Sequence, residues 1–383
     1  MIHRILSDEL KDYAKQYPIV TVTGPRQSGK TTLVRSVFPY HAYVSLEDLD
    51  KRTAAINDPR GFLNQYQSGA IFDEAQNAPD LFSYLQTQVD LNPQTGRFIL
   101  TGSQQFEMME RVSQSLAGRT AIARLLPLSI KELRDTGTTL NLNSCLYSGF
   151  YPAIHDRQLN PSKALAFYIS TYLERDVRSV LGITDLSRFN IFLRLCASRV
   201  GQLLNLSSLG SEVGVSHNTI RSWLSVLEAS FIVKLLQPWH ANIRKRLVKS
   251  PKLYFYDVGL AAYLVGIQTA DQLNAHPLRG ALFENMLVAE AFKQQFNQGK
   301  SQAMSFFRDS QGNEVDLLIE TGTGQTAYEI KSAQTINSDF FKGLDYLQKL
   351  KLPIVKTTLI YGGNENYTQS GHQIQSWLDA AFG

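Results

Sequence analysis

Residues 19–32 of the chain are Ile19-Val20-Thr21-Val22-Thr23-Gly24-Pro25-Arg26-Gln27-Ser28-Gly29-Lys30-Thr31-Thr32, and they indicate the fold of the N-terminal region. An apolar run typical of a buried strand leads into a turn with two glycines, and a helical pattern follows. The spacing of the glycines, the lysine and the threonine matches the phosphate-binding loop in full. The alternative, a glycine-rich turn that fits this pattern by chance, does not explain why a strand precedes it and a helix follows it.

The residue types in this loop predict a site for ATP and Mg²⁺. Backbone N–H groups of such a loop, together with the N-terminus of its helix, point at the phosphates. Lys30 can neutralise the β- and γ-phosphate oxygens, and the hydroxyl of Thr31 can bind Mg²⁺. We expect the nucleotide to be bound by Gly24, Pro25, Arg26, Gln27, Ser28, Gly29, Lys30, Thr31 and Thr32.

Two acids follow a second apolar run, in the segment AIFDEAQ. At the tip of a strand beside the phosphate loop, Asp73 can hold Mg²⁺ through water, while Glu74 can take a proton from the attacking water. The next apolar run ends in LTGS, where Ser103 is the candidate sensor of the γ-phosphate. These residues favour hydrolysis over binding alone, so Lys30, Asp73, Glu74 and Ser103 are the predicted catalytic residues.

Further motifs along the chain are LAGR, which ends at Arg119, PLS and YFYDVGLAAYL. Together with GPRQSGKTTL, FDEAQ and LTGSQ they resemble the bacterial and archaeal AAA+-related ATPases that carry a C-terminal domain of uncharacterised function. The resemblance spans residues 1 to about 380 and implies that Arg119 is an arginine finger or an intrasubunit sensor. A finger acts on the nucleotide of a neighbouring subunit, so a homo-oligomer is expected. A surface or helix-capping arginine is the alternative.

The chain departs from the AAA+ pattern at the lid. A Gly-x-x-Arg sensor is not evident, and Arg175 is the substitute that the sequence offers.

The order of apolar runs and helical patterns predicts an α/β fold with four segments. Five buried-strand runs alternate with helices at the N-terminus, as in a parallel sheet covered on both faces. The predicted segments are a P-loop ATPase core with an AAA+-like parallel sheet (1–135), a helical lid (136–200), a winged helix-turn-helix (201–270) and a restriction-endonuclease-like α/β domain (276–383).

Residues 206–224 have the spacing of a helix-turn-helix, with Gly214 in the turn and Ser216 capping the second helix. The predicted core consists of Leu209, Val213, Ile220, Leu224 and Leu227. Two groups of residues would contact DNA. The first lies at the start of the second helix and consists of His217, Asn218 and Arg221. The second is a basic wing with Arg244, Lys245, Arg246, Lys249 and Lys252. Winged helices also dock on proteins, and a basic run can be a solvated face, so both alternatives stay open.

The C-terminal segment resembles the PD-(D/E)xK nuclease core. Asp316 and Glu329 on neighbouring strands could share a second Mg²⁺ or a Mn²⁺, and Lys331 lies two residues beyond Glu329, on the same strand face. Glu284 on the preceding helix could support a metal-bound water. Members of this fold class that only bind DNA, or only keep the fold, are the alternative.

Composition narrows the class of protein but not its partner. The net charge of +4 is too small to imply nucleic-acid binding by itself. Cys145 and Cys196 lack zinc-site spacing and are interpreted as core thiols of a protein in a reducing compartment. Neither a secretion signal nor an apolar run of about 18 residues is evident, so a cytoplasmic protein without a membrane partner is expected.

Together these features predict an ATP-binding and ATP-hydrolysing motor or switch that acts on DNA. A regulatory signalling ATPase, whose winged helix binds protein, is one alternative. An ATP-gated, metal-dependent DNA nuclease is the other.

Overall fold

The computed structural model of the chain describes residues 2–103, 108, 111–112, 114–173, 185–239, 250–350 and 352–382. The chain folds into two units. Unit 1 comprises Met1–Leu128, Ala229–Phe231 and Phe296–Lys300. Unit 2 comprises Ser129–Glu228, Ile232–Gln295 and Ser301–Gly383.

Unit 1 is built on a sheet of five strands: β1 Ile19–Thr23, β2 Ala42–Ser45, β3 Ala70–Asp73, β4 Phe98–Gly102 and β5 Thr120–Arg124. The order across the sheet is β2-β3-β4-β1-β5, and every neighbouring pair is parallel. Its helices are α1 Leu6–Gln16, α2 Lys30–Val37, α3 Leu49–Asn57, α4 Pro59–Asn64 and α5 Leu81–Leu91. The predicted parallel α/β sheet is confirmed.

Two apolar layers cover the two faces of this sheet. Phe72 and Leu100 pack into one layer, with the helix residues Leu81 and Leu85. Successive strand residues point to opposite faces, so Ile71, Ile99 and Val20 pack into the other layer with α1 and α2. Because all five strands are parallel, their carboxyl ends meet at one edge, where open α/β sheets bind ligands.

The helices of unit 2 have side-chain caps at several N-termini. Asn141, Asn160, Asp185 and Asn205 each accept a hydrogen bond from a backbone N–H of the first turn. The helices are α6 Ile130–Arg134, α7 Leu142–Ser148, α8 Pro152–Asp156, α9 Pro161–Tyr168, α10 Leu186–Ser198, α11 Leu206–Val213, α12 His217–Ala229, α13 Val258–Leu264, α14 Arg279–Asn297 and α15 Lys342–Lys349. A π-helix, Ile169–Leu173, follows α9. Both cysteines are buried and free, as predicted.

The helices α11 and α12 form the predicted helix-turn-helix. Gly214 has a φ of 76° in the turn, and the Ser216 hydroxyl accepts a hydrogen bond from the N–H of Thr219 at 3.1 Å. Arg188 donates to the carbonyl of Gly214 at 2.9 Å and so links α10 to the turn. The predicted core of this motif is confirmed, since its members are all buried: Leu209, Val213, Ile220, Leu224 and Leu227.

A mixed sheet of eight strands completes unit 2, in the order β12-β13-β11-β10-β9-β8-β6-β7. Its strands are β6 Val233–Pro238, β7 Lys252–Phe255, β8 Met304–Arg308, β9 Glu314–Thr321, β10 Gly324–Lys331, β11 Ile354–Tyr361, β12 Tyr367–Gln369 and β13 His372–Ser376. Strand β6 pairs antiparallel with β7 and parallel with β8. The strands at the base of the predicted wing therefore belong to the same sheet as the predicted nuclease-like segment. The division of residues 136–383 into three domains stays a prediction.

The packing of α13 explains the aspartate and the glycine in the motif YFYDVGLAAYL. The buried carboxylate of Asp257 accepts hydrogen bonds from the N–H of Leu260 at 3.0 Å and of Phe150 at 2.7 Å. A Cβ on Gly149, whose φ is 63°, would lie 2.2 Å from Asp257 Oδ1, and one on Gly259 would lie 2.5 Å from the Gly149 nitrogen. The aspartate and the two glycines thus allow α13 to pack directly on the turn after α7.

Candidate functional site

The phosphate-binding loop joins β1 to α2 at the carboxyl edge of the unit 1 sheet. Gly24 has a φ of 151°, and a Cβ there would lie 2.1 Å from the carbonyl oxygen of Leu125. Gly29 has a φ of 90° and immediately precedes α2. Both positions therefore require glycine. The buried ammonium of Lys30 donates to the carbonyls of Gly24 at 3.0 Å and Pro25 at 2.9 Å, so it lies within the curve of the loop.

The remaining loop residues differ in exposure. Ser28 is buried, Arg26 and Thr31 are half-buried, and Gln27 and Thr32 are exposed. Nucleotide binding by these residues stays a prediction.

Arg4, which sequence reasoning missed, anchors the loop from the N-terminus. Its guanidinium donates to the carbonyl of Ser28 at 2.7 Å and to that of Leu126 at 2.6 Å. The side chain is buried, with 7% exposure. Hydrogen bonds from a charged donor are about twice as strong as neutral ones. Arg4 therefore holds the phosphate-binding loop against the segment that follows β5.

The carboxylate of Asp73 is surrounded by hydroxyl donors. Thr31 donates to its two oxygens at 3.1 and 3.0 Å, Tyr43 donates to Oδ2 at 2.7 Å, and Thr101 donates to Oδ1. Burial and the hydrogen bond to Asp73 raise the pKa of Tyr43 to about 12, so the phenol keeps its proton. Sequence reasoning missed Tyr43 and Thr101, although both lie on strands that neighbour β3 in the sheet.

Glu74 follows β3 in a left-handed conformation, with φ 54° and ψ 50°. Ser103 donates to its Oε2 through the hydroxyl at 2.9 Å and the N–H at 3.4 Å, and Gln76 donates to the same oxygen. Burial favours the neutral acid, but the charge of Lys30 and the hydrogen bonds of Gln76 and Ser103 outweigh it and lower the pKa of Glu74. The carboxylate is thus ionised at neutral pH and can accept a proton.

Thr31 and Asp73 fit a Mg²⁺ site of the kind that binds few protein ligands. Their oxygens lie within 3.1 Å of each other. In the part of the chain that the structure describes, no group of three or more histidine, cysteine or acidic side chains could hold a metal ion. Mg²⁺ bound with nucleotide needs no such group, because phosphate oxygens and water complete its coordination.

Arg119 lies immediately before β5, and its side chain is 31% exposed. It forms a two-point ion pair with Asp90, with Nε–Oδ1 at 2.6 Å and Nη2–Oδ2 at 2.8 Å, and it donates to the carbonyl of Ala117. The arginine-finger and sensor roles stay predictions.

Unit 2 gathers acidic and basic side chains into one partly buried group, here called the acidic cluster. Its members are Lys252 and Tyr254 from β7, Glu284 from α14, Glu314 and Asp316 from β9, and Glu329 and Lys331 from β10. Lys331 Nζ pairs with Glu329 Oε1 at 2.5 Å and lies 3.6 Å from Asp316 Oδ2. The fold thus brings together the predicted nuclease-like residues, and Tyr254 and Glu314 are members that sequence reasoning missed.

Two carboxyls of the acidic cluster are poised to change protonation near neutral pH. Burial and the nearby charge of Asp316 outweigh the lysines and raise the pKa of Glu284 to about 7 and that of Glu329 to about 8. The phenol of Tyr254 donates to Glu284 Oε1 at 2.6 Å.

Three sequence families match successive parts of the chain: an AAA domain at residues 16–134, a domain of unknown function (DUF8612) at 139–271, and a domain of unknown function (DUF4143) at 279–378. Two uncharacterized proteins, Rv2008c of Mycobacterium tuberculosis and Mb2031c of Mycobacterium bovis, are each 32% identical over 344 residues. The match covers 88% of this chain and 76% of each relative. The chain belongs to their family. Its N-terminal part is an AAA-type P-loop ATPase domain, and such domains use ATP and Mg²⁺.

Solved structures that resemble this AAA-domain protein include the Walker-type ATPase PABY2304 of Pyrococcus abyssi. The two chains are 15% identical, and the match covers 68% of this chain and 94% of that chain with a TM-score of 0.47. A variant of RuvB from Thermotoga maritima is 17% identical to this chain. That match covers 60% of this chain and 87% of the RuvB chain, with a TM-score of 0.30. Among the described helices of the AAA-domain protein, none is long and apolar enough to cross a membrane.

The predicted DNA-contacting residues differ in exposure, and several of them lie outside the described residues. His217, Asn218 and Arg221 are exposed at the start of α12. The predicted wing cations Arg244, Lys245, Arg246 and Lys249, and the predicted lid residue Arg175, lie outside the described residues.

The expectation that Lys252 contacts phosphates from an exposed wing is wrong. The side chain is 2% exposed, and its ammonium lies 3.0 Å from Glu284 Oε1 and 2.5 Å from Glu314 Oε1. The basic run that suggested a surface role ends where β7 enters the sheet, and there the lysine faces the acids of α14 and β9. A buried ammonium needs such partners, because an unpaired charge is costly to bury.

Proposed function

We propose that the AAA domain hydrolyses ATP and that the protein uses this reaction as a switch or motor on DNA. The observation that carries the hydrolysis proposal is the pairing of two acids with different environments: Asp73 beside the Thr31 hydroxyl, and the ionised Glu74 next to it. One acid is arranged for a cation and the other for a proton, as hydrolysis requires.

Each residue contributes a separate part of the reaction. Lys30 and the N-terminus of α2 bind the phosphates, while Thr31 and Asp73 would hold Mg²⁺, which neutralises charge on the phosphate oxygens. Glu74 accepts the proton of the attacking water, and Ser103 fixes the carboxylate that does so. We extend the proposal to Arg119 as a finger in a homo-oligomer and to a cytoplasmic location.

The DNA part of the proposal rests on the helix-turn-helix. His217, Asn218 and Arg221 are exposed at the N-terminal end of α12, the end with which such motifs read DNA. The basic run at residues 244–249 adds cations in the chain segment that would form the wing.

The test is the steady-state ATPase rate with Mg²⁺, measured without DNA and with duplex, single-stranded and branched DNA. Lys30→Ala serves as the blank. We expect wild-type hydrolysis above this blank and stimulation by one DNA form. Arg221→Glu should weaken that stimulation, while Arg194→Glu on α10 serves as the surface control. A slow rate that is indifferent to every DNA would instead support a regulatory signalling ATPase whose helix-turn-helix binds protein.

A second candidate function is metal-dependent DNA cleavage at the acidic cluster. It is favoured by the convergence of Asp316, Glu329 and Lys331, whose ion pairs measure 3.6 and 2.5 Å. Asp316 and Glu329 would hold Mg²⁺ or Mn²⁺, with Glu284 nearby as a water-supporting acid, and Lys331 would polarise the attacking water.

Plasmid nicking in the presence of Mg²⁺ or Mn²⁺ tests this second function. Lys331→Ala should stop nicking, and Lys342→Ala, which changes an exposed lysine of α15, should not. Equal nicking by wild type and Lys331→Ala would identify a contaminating nuclease.

A further inference from the structure

Lys252, the first residue of β7, places its ammonium group inside the acidic cluster. Its side chain is 2% exposed, although a lysine usually keeps its charged end in water. The Nζ atom lies 2.5 Å from Glu314 Oε1, 3.0 Å from Glu284 Oε1 and 3.8 Å from Asp316 Oδ1. Three carboxylates, one from α14 and two from β9, thus converge on a single nitrogen atom.

The main chain at Lys252 is held on both sides. The residue pairs with Leu236 of the neighbouring strand β6, and it forms an isolated bridge with Leu203. The ammonium also lies 5.4 Å from the centroid of the Phe306 ring on β8, and the face of an aromatic ring attracts a cation. The fold therefore directs this lysine into the acidic cluster from a fixed position on the sheet.

The ammonium of Lys252 faces the oxygen that a metal ion would need on Asp316, a predicted metal ligand. Asp316 Oδ2 accepts a hydrogen bond from the N–H of Ile330 at 2.9 Å and lies 3.6 Å from Lys331 Nζ. Oδ1 is therefore the oxygen left for a metal ion, and it is the oxygen that faces Lys252. A divalent ion on Oδ1 would lie close to an ammonium group, and like charges repel strongly in a buried site.

The carboxylates of the acidic cluster are arranged around an ammonium group and not around a metal position. Among the residues that the structure describes, no group of three or more acidic, histidine or cysteine side chains could hold a metal ion. Mg²⁺ needs oxygen ligands at about 2.0–2.1 Å in near-octahedral order. The oxygens of Glu284 and Glu314 lie instead at the distances of hydrogen bonds to Lys252 Nζ.

We propose that Lys252 is a built-in cation that closes the acidic cluster to metal ions, an inference that rests on the metal site proposed for the second function. The ammonium supplies positive charge to Glu284, Glu314 and Asp316. A divalent cation binds there when this ammonium withdraws. The chain therefore restrains its own nuclease-like site, and Lys252 is the residue that does so.

Calorimetric titration of Mn²⁺ without nucleotide tests the inference. All proteins are the whole chain with Asp73→Asn, which removes the charge that would hold a cation in unit 1. We expect Lys252→Met to lower the dissociation constant for Mn²⁺ about tenfold or more, because it removes a unit charge next to the divalent ion. Arg308→Met is the matched control, since it removes a positive charge 2.7 Å from Glu314 Oε2, on an exposed side chain. This control should change the constant at most about threefold.

Thermal unfolding with and without Mn²⁺ covers the loss of stability expected of Lys252→Met. Mn²⁺ should raise the melting temperature of this variant, because an ion that binds only the folded state stabilises it. Lys252→Gln is neutral but polar, and it should show the same gain in Mn²⁺ affinity if the methionine variant does not fold. Asp316→Asn added to either variant should remove the gain, which would place the ion in the acidic cluster.

Four outcomes would overturn the inference. They are an Mn²⁺ affinity that neither Lys252 variant raises, an equal gain in Arg308→Met, a gain that survives Asp316→Asn, and a melting temperature of the Lys252 variants that Mn²⁺ does not raise. Failure of the proposed cleavage gives a different result. The Lys252 variants would then bind Mn²⁺ tightly, yet plasmid DNA would stay intact.

Discussion

The two acidic sites of this protein stabilise their carboxylates in different ways. In unit 1, Asp73 is surrounded by the hydroxyls of Thr31, Tyr43 and Thr101, which are neutral donors. In the acidic cluster of unit 2, charged lysine ammonium groups stabilise the carboxylates. The single side chain of Lys252 contacts both Glu284 and Glu314.

The difference decides what each site must give up in order to bind a cation. Hydroxyl donors stabilise a carboxylate without cancelling its charge, so the negative potential at Asp73 remains available to Mg²⁺. In the acidic cluster a cation competes with two lysines, and with protons on Glu284 and Glu329, whose pKa values are raised to about 7 and about 8. We therefore expect unit 1 to bind its cation over a wide pH range, and the metal binding proposed for the acidic cluster to occur only as protons leave.

The largest expected effect is a separation of the two sites by mutation. Asp73→Asn should lower the ATPase rate about a hundredfold or more, because it removes the charge that holds Mg²⁺. The Mn²⁺ binding proposed for the acidic cluster should not change in this variant. Asp316→Asn should have the opposite pattern, and Asp8→Asn on the surface of α1 is the control. Loss of both properties in either single variant would contradict two independent sites.

Removing the cation of the acidic cluster should destabilise the fold. Lys252→Met leaves the half-buried Glu284 and Glu314 without their ammonium partner, and breaking a buried pair costs up to about 3–5 kcal/mol. Urea unfolding measures the loss. Lys234→Met, which changes a partly exposed lysine of β6, is the control and should cost at most about 1 kcal/mol. Similar losses in the two variants would show that Lys252 is not needed to neutralise the acids.

Cation binding should depend on pH more steeply at the acidic cluster. Because the pKa values of Glu284 and Glu329 are raised, protons compete with the cation below about pH 7, and affinity should rise as pH passes through about 7 to 8. Calorimetric titration of Mn²⁺ into Asp73→Asn should show tightening of up to about tenfold per pH unit for each proton released. The variant Glu329→Gln should flatten the dependence, and an equally flat wild type would contradict the assigned protonation.

The smallest expected effect concerns one hydroxyl donor. Tyr43→Phe removes a hydrogen bond of 2.7 Å to Asp73 but leaves Thr31 and Thr101 in place. We expect the Mg²⁺ concentration that supports half-maximal ATPase rate to rise about threefold to tenfold, in line with about 1 kcal/mol for one hydrogen bond. Tyr40→Phe, at a position 98% exposed, is the control. No change in Tyr43→Phe would mean that the two threonines suffice.

Much of unit 1 could be predicted because the residues that determine its strands and its phosphate-binding loop are close together in the sequence. The five strands coincide with continuous apolar runs, and the phosphate-binding loop is defined by spacing within eight residues. The helix-turn-helix core was predictable for the same reason, since Leu209, Val213 and Ile220 follow helical periodicity and are buried.

Residues whose role depends on distant partners could not be predicted. Arg4 reaches Leu126, which is 122 residues away in the chain, and no local pattern marks that contact. Tyr43 and Thr101 meet Asp73 because β2 and β4 flank β3, an order that hydrophobic periodicity does not contain. Lys252 ends a basic run that indicates an exposed wing, yet pairing of β7 with β6 turns its side chain to Glu284.

The amino-acid order alone thus determines that the N-terminal region is a P-loop domain with two acids at a strand tip. It does so because glycine conformations, strand runs and the loop lysine act within a few residues of one another. Which side chains surround those acids follows from tertiary structure. Strand order and helix packing bring hydroxyls to Asp73, the Ser103 hydroxyl to Glu74 and lysines to the acidic cluster. The charge and protonation of a buried carboxylate depend on these neighbours, and they come from every part of the fold.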